Sequence, residues 1–340
     1  EIGPKHGTAY YYSGLVKDHQ QDYRGAIESY TKAIEIDLKF AKPYYYRGNA
    51  KYYINDFEGA LQDYKKASEI DPKYSIDPNY AEAYYGFGIA RRDLQDYQGA
   101  IENFTNAINI FEKLNLAVLD FHYTYAGSYY ERAQIKSFLE DNKGAIQDYN
   151  RVIEINPNNS DAYFWRAFVK ERILDYQGAL GDYSKAVEIF PEQMTFYYYR
   201  ALLKEKLRDY QGAIDDYNET ISRQFNGRPF WAAYKSRGRL KDKLQDYQGA
   251  IEDYNKLIEM FPKDATPYVW RGLAKVHLED YMGAIKDYDI STEIYPTDLK
   301  TYYQRGLAKS AIQDHSGAIT DFRKTIEYCN KEIINDPKFR

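Results

Sequence analysis

The sequence predicts an all-α fold, a solenoid of antiparallel helix hairpins strung along one chain. Three observations predict it. A Gly-Ala-Ile/Leu triplet recurs nine times on a base period of 34 residues. Aromatic, small and charged residues hold fixed columns around every triplet. Apolar positions recur at helical spacing on both sides of an Asp-bearing turn.

The triplets begin at Gly25, Gly59, Gly99, Gly144, Gly178, Gly212, Gly249, Gly283 and Gly317. Their spacings are 34, 40, 45, 34, 34, 37, 34 and 34, so three insertions interrupt the period, over 71–80, around 113–120 and over 225–229. The repeats run roughly over 7–38, 41–72, 81–112, 126–157, 160–191, 194–225, 231–262, 265–296 and 299–335, all within one expected solenoid spanning 1–340. At 340 residues the chain exceeds one ordinary domain, and a repeat array reaches that length because its core grows along one axis.

Each column has a physical use. Fifteen residues before the Gly stands Tyr, from Tyr10 to Tyr302. Eleven before it sits Gly or Ala, as in Gly48 and Ala167, where two helices can approach closely. Three before it stands Asp, from Asp22 to Asp314, whose carboxylate suits the free N–H groups that open a helix. Ala follows the Gly, and five after it Tyr or Phe fills the space beside the small residues. One hairpin cannot bury its own apolar face, so neighbours must stack.

An aromatic, a small residue, Ala with an aromatic four later, and a Pro that closes only some repeats (Pro72, Pro157, Pro191, Pro262 and Pro296) form a pattern that resembles the tetratricopeptide repeat family. The resemblance covers residues 7–335. It implies two antiparallel helices per repeat, stacked into a right-handed superhelix with a concave groove lined by first helices. The phrasing Tyr-Tyr-x-Arg-Gly-x-Ala-Lys, then Asp-Tyr-x-Gly-Ala-Ile, looks like that of bacterial members, cyanobacterial ones among them.

Two columns depart from the commoner family pattern. Twelve before the Gly stand Arg47, Arg132, Arg166, Arg200, Arg237, Arg271 and Arg305. Four after it stand Asp63, Asp148, Asp182, Asp216, Asp253, Asp287 and Asp321. Repeats one and three lack both, with Ser13 and Ser29 in one, Phe87 and Asn103 in the other. Joint presence suggests contact. The expectation is an Arg–Asp ion pair between the two helices of a single repeat, which sets packing register. Pairing with a neighbouring repeat would strand partners, and a ligand site would leave costly unpaired charge. A basic residue also stands eight before every Gly, from Lys17 to Lys309, and reads as a solvated face with neutralised neighbours, the alternative being a field that draws acidic partners.

In the family, groove positions lie fourteen, ten, seven and six before the repeat Gly. The fourteen-before column carries Tyr11, Tyr45, Tyr85, Tyr130, Phe164 and Tyr198, then Lys235, Val269 and Tyr303. Such a ladder suits an extended peptide, and packing between first helices competes with that reading. At repeat seven Lys235, Arg239 and Lys243 fall on one helix face, flanked by Arg237 and Lys241. With Arg172 and Lys206 in comparable groove positions, repeats five to seven are expected to hold an acidic group of a partner. Asn49 and His277 complete the groove set. Chaperone-binding members carry a clamp of Lys and Asn on consecutive first helices. Here Lys235 and Asn49 stand in distant repeats, which puts a heat-shock co-chaperone role in doubt.

No phosphate-cradling Gly-x-x-x-x-Gly-Lys and no Gly-x-Ser-x-Gly is present. The five His are scattered and no His or Cys pair has metal-ligand spacing, so no catalytic residue, metal or cofactor is expected. A net charge of −5 argues against a general nucleic-acid binder. Cys329 is the only cysteine, which rules out an intrachain disulfide, fits a reducing cytoplasm and leaves a periplasm open. No apolar run approaches membrane-spanning length. The chain begins at Glu1, so a signal peptide or upstream region could have been removed. The last helix runs on through Ile326, Ile333 and Ile334 with nothing to cover it. The expected function is therefore a protein- or peptide-binding scaffold, with a self-assembling homo-oligomer through terminal repeats as the alternative. Single-stranded RNA binding by Tyr stacking comes third.

Overall fold

The computed structural model describes residues 4–114, 122–223 and 230–335. The second and third insertions fall mainly on 115–121 and 224–229, outside the described residues, as do the side chains of Ile333 and Ile334.

Two compact units are present, 1–189 and 190–340. The first holds five helix pairs: α1 (Pro4–His19) with α2 (Tyr23–Ile36), α3 (Ala41–Tyr53) with α4 (Phe57–Ile70), α5 (Pro78–Asp93) with α6 (Tyr97–Lys113), α7 (His122–Phe138) with α8 (Asn142–Ile155), and α9 (Ser160–Arg172) with α10 (Tyr176–Ile189). A short 3₁₀ turn, Pro72–Ile76, fills the first insertion. The second unit holds four: α11 (Met194–Lys206) with α12 (Tyr210–Ser222), α13 (Trp231–Lys243) with α14 (Tyr247–Met260), α15 (Ala265–His277) with α16 (Tyr281–Ile294), and α17 (Leu299–Ala311) with α18 (His315–Asn335). Every helix among the described residues thus belongs to a tandem hairpin, and no strand is present among them.

One turn is reused in each hairpin. The first helix ends on a residue in the left-handed region, with φ between 61° and 66° at Gln21, Asn55, Gln95, Glu140, Leu174, Arg208, Gln245, Glu279 and Gln313. The following Asp N–H reaches back to the carbonyl five residues earlier, at 2.8–2.9 Å, as in Asp22 to Lys17. That bond closes the first helix in a Schellman-type cap without the usual Gly. The same Asp then opens the second helix: its Oδ1 accepts the N–H of the repeat Gly, at 3.0 Å in Asp22 and Gly25. A Cβ on that Gly would overlap the Asp carboxylate, which explains why the column tolerates no side chain.

Packing follows the columns. Tyr30, Tyr64, Phe104, Tyr149, Tyr183, Tyr217, Tyr254 and Tyr288 are buried completely or nearly so. Where the small column is Gly, a Cβ there would run into this ring, as at Gly14 against Tyr30 and Gly272 against Tyr288. The Ala after the repeat Gly is also sealed, from Ala26 to Ala318. Burial of one such ring contributes roughly 1.5–3 kcal/mol, so the aromatic column supplies much of each hairpin's core.

Candidate functional site

Charged side chains fill the space between the two helices of most hairpins. In seven hairpins the Arg Nε donates to the Asp Oδ2 at 2.8–3.0 Å while Nη2 donates to Oδ1, as Arg47 does to Asp63 and Arg271 to Asp287. This two-pronged fork is the strongest geometry available to the pair. The Asp residues are buried, Asp321 to 1% exposure. Burial works against its ionisation, but hydrogen bonds from Arg305 and Lys309 outweigh that and hold its carboxyl below the ordinary range.

Two further partners complete the cluster, and both correct or extend the sequence reading. The basic column eight before the Gly is neutralised by its neighbours, as one half of the expectation had it, and is not a solvated face. In the same seven hairpins its Lys lies 2.8–3.3 Å from the Asp Oδ2, as Lys275 does from Asp287. Desolvation of the carboxylate draws in a second cation. The Tyr fifteen before the Gly lies beneath the guanidinium, 5.1–5.6 Å from ring centre to Cζ, from Tyr44 under Arg47 to Tyr302 under Arg305. The remaining nitrogen, Nη1, reaches the second helix of the preceding hairpin at 2.6–3.0 Å. It meets Thr31 from Arg47, Thr105 from Arg132, Asn150 from Arg166, Asn218 from Arg237, Asn255 from Arg271 and Asp289 from Arg305. The sequence carried a signal for this link. An acceptor stands six after the Gly before each of these Arg residues, and Lys65 stands there ahead of Phe87.

Hairpins one and three use other solutions. Lys17 Nζ donates to Ser29 Oγ at 3.1 Å. Arg91 lies over the Phe87 ring at 4.3 Å.

The aromatic ladder is corrected in part. Tyr11, Tyr45 and Phe164 are buried and offer no open ring. Tyr11 packs edge-on to Phe40 at 5.3 Å, and Tyr45 stacks on Tyr74 at 4.9 Å while its hydroxyl donates to Asp77 at 3.0 Å. Tyr198 meets Phe230 edge-on at 4.9 Å. Stacking of successive hairpins claims these rings because sealing an aromatic between helices removes more apolar area from water than leaving it in a groove. Tyr303 is exposed, and Tyr85 and Tyr130 are half-buried.

Other groove residues are also engaged. Asn49 Oδ1 accepts the Tyr64 hydroxyl at 2.6 Å. Arg172 donates to the Ser137 carbonyl at 2.8 Å. His277 stacks on Tyr247 with centres 4.6 Å apart. Lys243 donates to the Tyr210 hydroxyl at 3.0 Å and lies over that ring. On α13, Arg237 and Lys241 are spent on Asp253. Lys235 stands between the rings of Trp231 and Trp270, 5.8 and 5.6 Å from their centres, and Arg239 is exposed.

The sequence reading missed one feature of the first unit. A cavity of about 610 Å³ lies among α5, α7 and the α8–α9 connection, lined by Tyr85, Tyr123, Tyr130, Glu131, Asn156 and Asp161 with Ala126, Gly127, Ile155 and Asn159. Burial and the nearby Glu131 carboxylate push the Tyr85 hydroxyl up to about 12. Burial and Asp161 do the same to Tyr130, also to about 12. Gly127 makes room for the Tyr85 ring, which a Cβ there would approach at 3.2 Å. The fourteen-before column supplies Tyr85 and Tyr130, but nothing periodic marked the rest, because Tyr123, Glu131 and Asp161 belong to no repeating position.

Tetratricopeptide repeat models match residues 7–40, 41–74 and 170–229 with 236–298, and a TPR repeat model matches 139–173. Among curated proteins no significant match is found. Of solved structures, the C-terminal part of a TPR repeat-containing protein from Cytophaga hutchinsonii is 16% identical over 77% of this chain and 98% of its own, with a TM-score of 0.55. YrrB, described as a TPR protein with an unusual peptide-binding site, is 25% identical over 58% of this chain and 93% of its own, TM-score 0.44. Yeast Tom70 is 15% identical over 95% and 92%, TM-score 0.40. The models together span more than half of the sequence: the chain belongs to the tetratricopeptide repeat family.

Proposed function

We propose that this protein is a binding scaffold, not an enzyme, which holds another protein or peptide on the face formed by its first helices. Within the second unit the contact would centre on α13 and take an acidic segment. One observation carries this reading. Among the described residues Lys235 and Arg239 form no ion pair, although the cations beside them, Arg237 and Lys241, are both neutralised by Asp253. Two cations left over on one helix face, one flanked by tryptophan rings, offer charge and aromatic area together. Lys206 and Tyr303 are further candidates on first helices of the same unit.

The test is a titration with a Glu-rich octapeptide, read through tryptophan fluorescence because Trp231 and Trp270 adjoin Lys235. Binding should weaken with added salt and fall about tenfold or more in the Lys235→Glu, Arg239→Glu double variant. Equal binding by both proteins would remove α13 as the site.

Self-assembly is the second reading. It draws on Leu307, Ile319 and Ile326, exposed apolar side chains of the last hairpin. Light scattering over a concentration series separates the two: a constant monomer mass supports the scaffold acting alone, and a mass that grows with concentration supports assembly.

A further inference from the structure

We propose that the cavity of the first unit is an arginine pocket: it takes one guanidinium side chain from an extended partner. This rests on the scaffold reading above but concerns a different surface and the opposite charge.

Three tyrosines, two carboxylates and two amides line the cavity, with no lysine or arginine among the lining residues. Its volume of about 610 Å³ falls in the range of small-ligand sites. Such a lining repels an anion and has too many polar groups for a purely apolar side chain. It suits a cation, through ring faces and carboxylates together. The N-terminus of α9 would by itself favour an anion, but Asp161 already occupies its first turn and the Asn159 side chain caps Ala162 N at 2.9 Å.

Two features favour guanidinium over ammonium. Flat tyrosine walls match a planar cation, and a carboxylate matches its fork of donors. The protein also makes this contact internally at the same place, since Arg92 Nη1 donates to Glu131. Glu131 is therefore partly neutralised, while no ion pair is formed by Asp161 among the described residues. That leaves Asp161 as the main counter-charge and Tyr123, which is 83% exposed, as the movable wall. The amide N–H groups of Asn156 and Asn159 remain as donors for the partner's main-chain carbonyls, because their own oxygens accept Asn158 N and Ala162 N.

Ligand-observed NMR with three capped pentapeptides on the full chain tests this: Ala-Ala-Arg-Ala-Ala, its Lys counterpart and its Gln counterpart. The Arg peptide should bind at least tenfold more tightly than Gln and measurably more tightly than Lys. Asp161→Asn should weaken Arg binding several-fold and narrow the gap to Gln. Gly127→Leu fills the cavity and should abolish binding, with circular dichroism to show the helices intact. Arg and Gln peptides binding alike, or Asp161→Asn without effect, overturns the proposal, as does Lys binding more tightly than Arg. Binding of the Glu-rich octapeptide to the same sample is unaffected by Asp161→Asn if both readings hold. Loss of the octapeptide signal alone condemns the α13 site and leaves this pocket standing.

Discussion

Hairpins three and eight give the same columns different occupants. In hairpin eight Tyr268 lies under Arg271, whose fork holds Asp287 with Lys275 on the other oxygen. In hairpin three Phe87 replaces the first cation, and only the one eight before the Gly remains. Arg91 covers Phe87, and Asn103 stands buried where the Asp would be, its Nδ2 without a partner. Both hairpins turn through a left-handed residue, cap on Asp and seal an aromatic, Phe104 or Tyr288. The charged cluster is thus not what makes a hairpin. It adds a guanidinium link from one hairpin to the one before it, for which hairpin three has Phe87 in place of the Arg.

The largest expected effect comes from breaking the cluster of hairpin eight. Arg271→Met strands a buried carboxylate with one cation and should cost about 3 kcal/mol. In a repeat array each hairpin keeps part of its own stability. The loss should therefore be read as faster amide exchange in α15 and α16, and also in α14, which loses its link from Asn255. Unchanged exchange in α14 would mean that Nη1 does not join the hairpins.

Acid provides the next test. Asp321 titrates below its unfolded value, so its contribution is full above the ordinary carboxylate pKa of about 3.9. It drains away as pH falls through the lower folded value. Amide exchange in α17 should accelerate below about pH 4, and Asp321→Asn should flatten that dependence while lowering stability at neutral pH. An identical acid response in the variant would show that other groups govern it.

A smaller change is expected when both charges leave together. Arg271→Phe with Asp287→Asn gives hairpin eight the residues of hairpin three, and removing a buried pair as a whole is far milder than halving it. Its stability should lie within about 1 kcal/mol of the parent. A loss as large as that of Arg271→Met would show that hairpin three depends on Arg91 in a way Lys275 cannot copy.

The smallest effect concerns the turn both hairpins share. Leu174 is exposed at φ 65°, a conformation strained for a branched side chain. Leu174→Gly should stabilise hairpin five by about 0.5–1 kcal/mol, net of the extra freedom glycine gives the unfolded chain, seen as a higher melting temperature.

Hairpins, their caps and their sealed aromatics were legible because they repeat: nine copies of Asp, Gly, Ala and an aromatic leave little freedom of interpretation. Joint presence also drew attention to Arg271 with Asp287. The fate of the rings fourteen before the Gly was less legible. Tyr45 and Tyr85 occupy the same column, yet one is sealed by Tyr74 from the first insertion and the other opens onto the cavity. Local insertions decide this, and no periodic signal reports them. The cavity itself was invisible for the same reason. Tyr123 and Asp161 both line it, yet neither stands in a repeating column.

The guanidinium links have a direction. Each runs from a first helix back to the second helix made before it, from Arg166 to Asn150 and from Arg305 to Asp289. On a ribosome the acceptor therefore emerges first, and its donor follows with the next hairpin. A nascent chain that ends after α8 exposes an Asn150 awaiting completion, and folding of the next hairpin supplies the missing group. After α4 no guanidinium is awaited, because Lys65 is no acceptor and Phe87 no donor. Synthesis of the first two hairpins thus yields a piece whose guanidinium link is already closed, while the Tyr45 hydroxyl still waits for Asp77 and Asn79 at the start of the next hairpin.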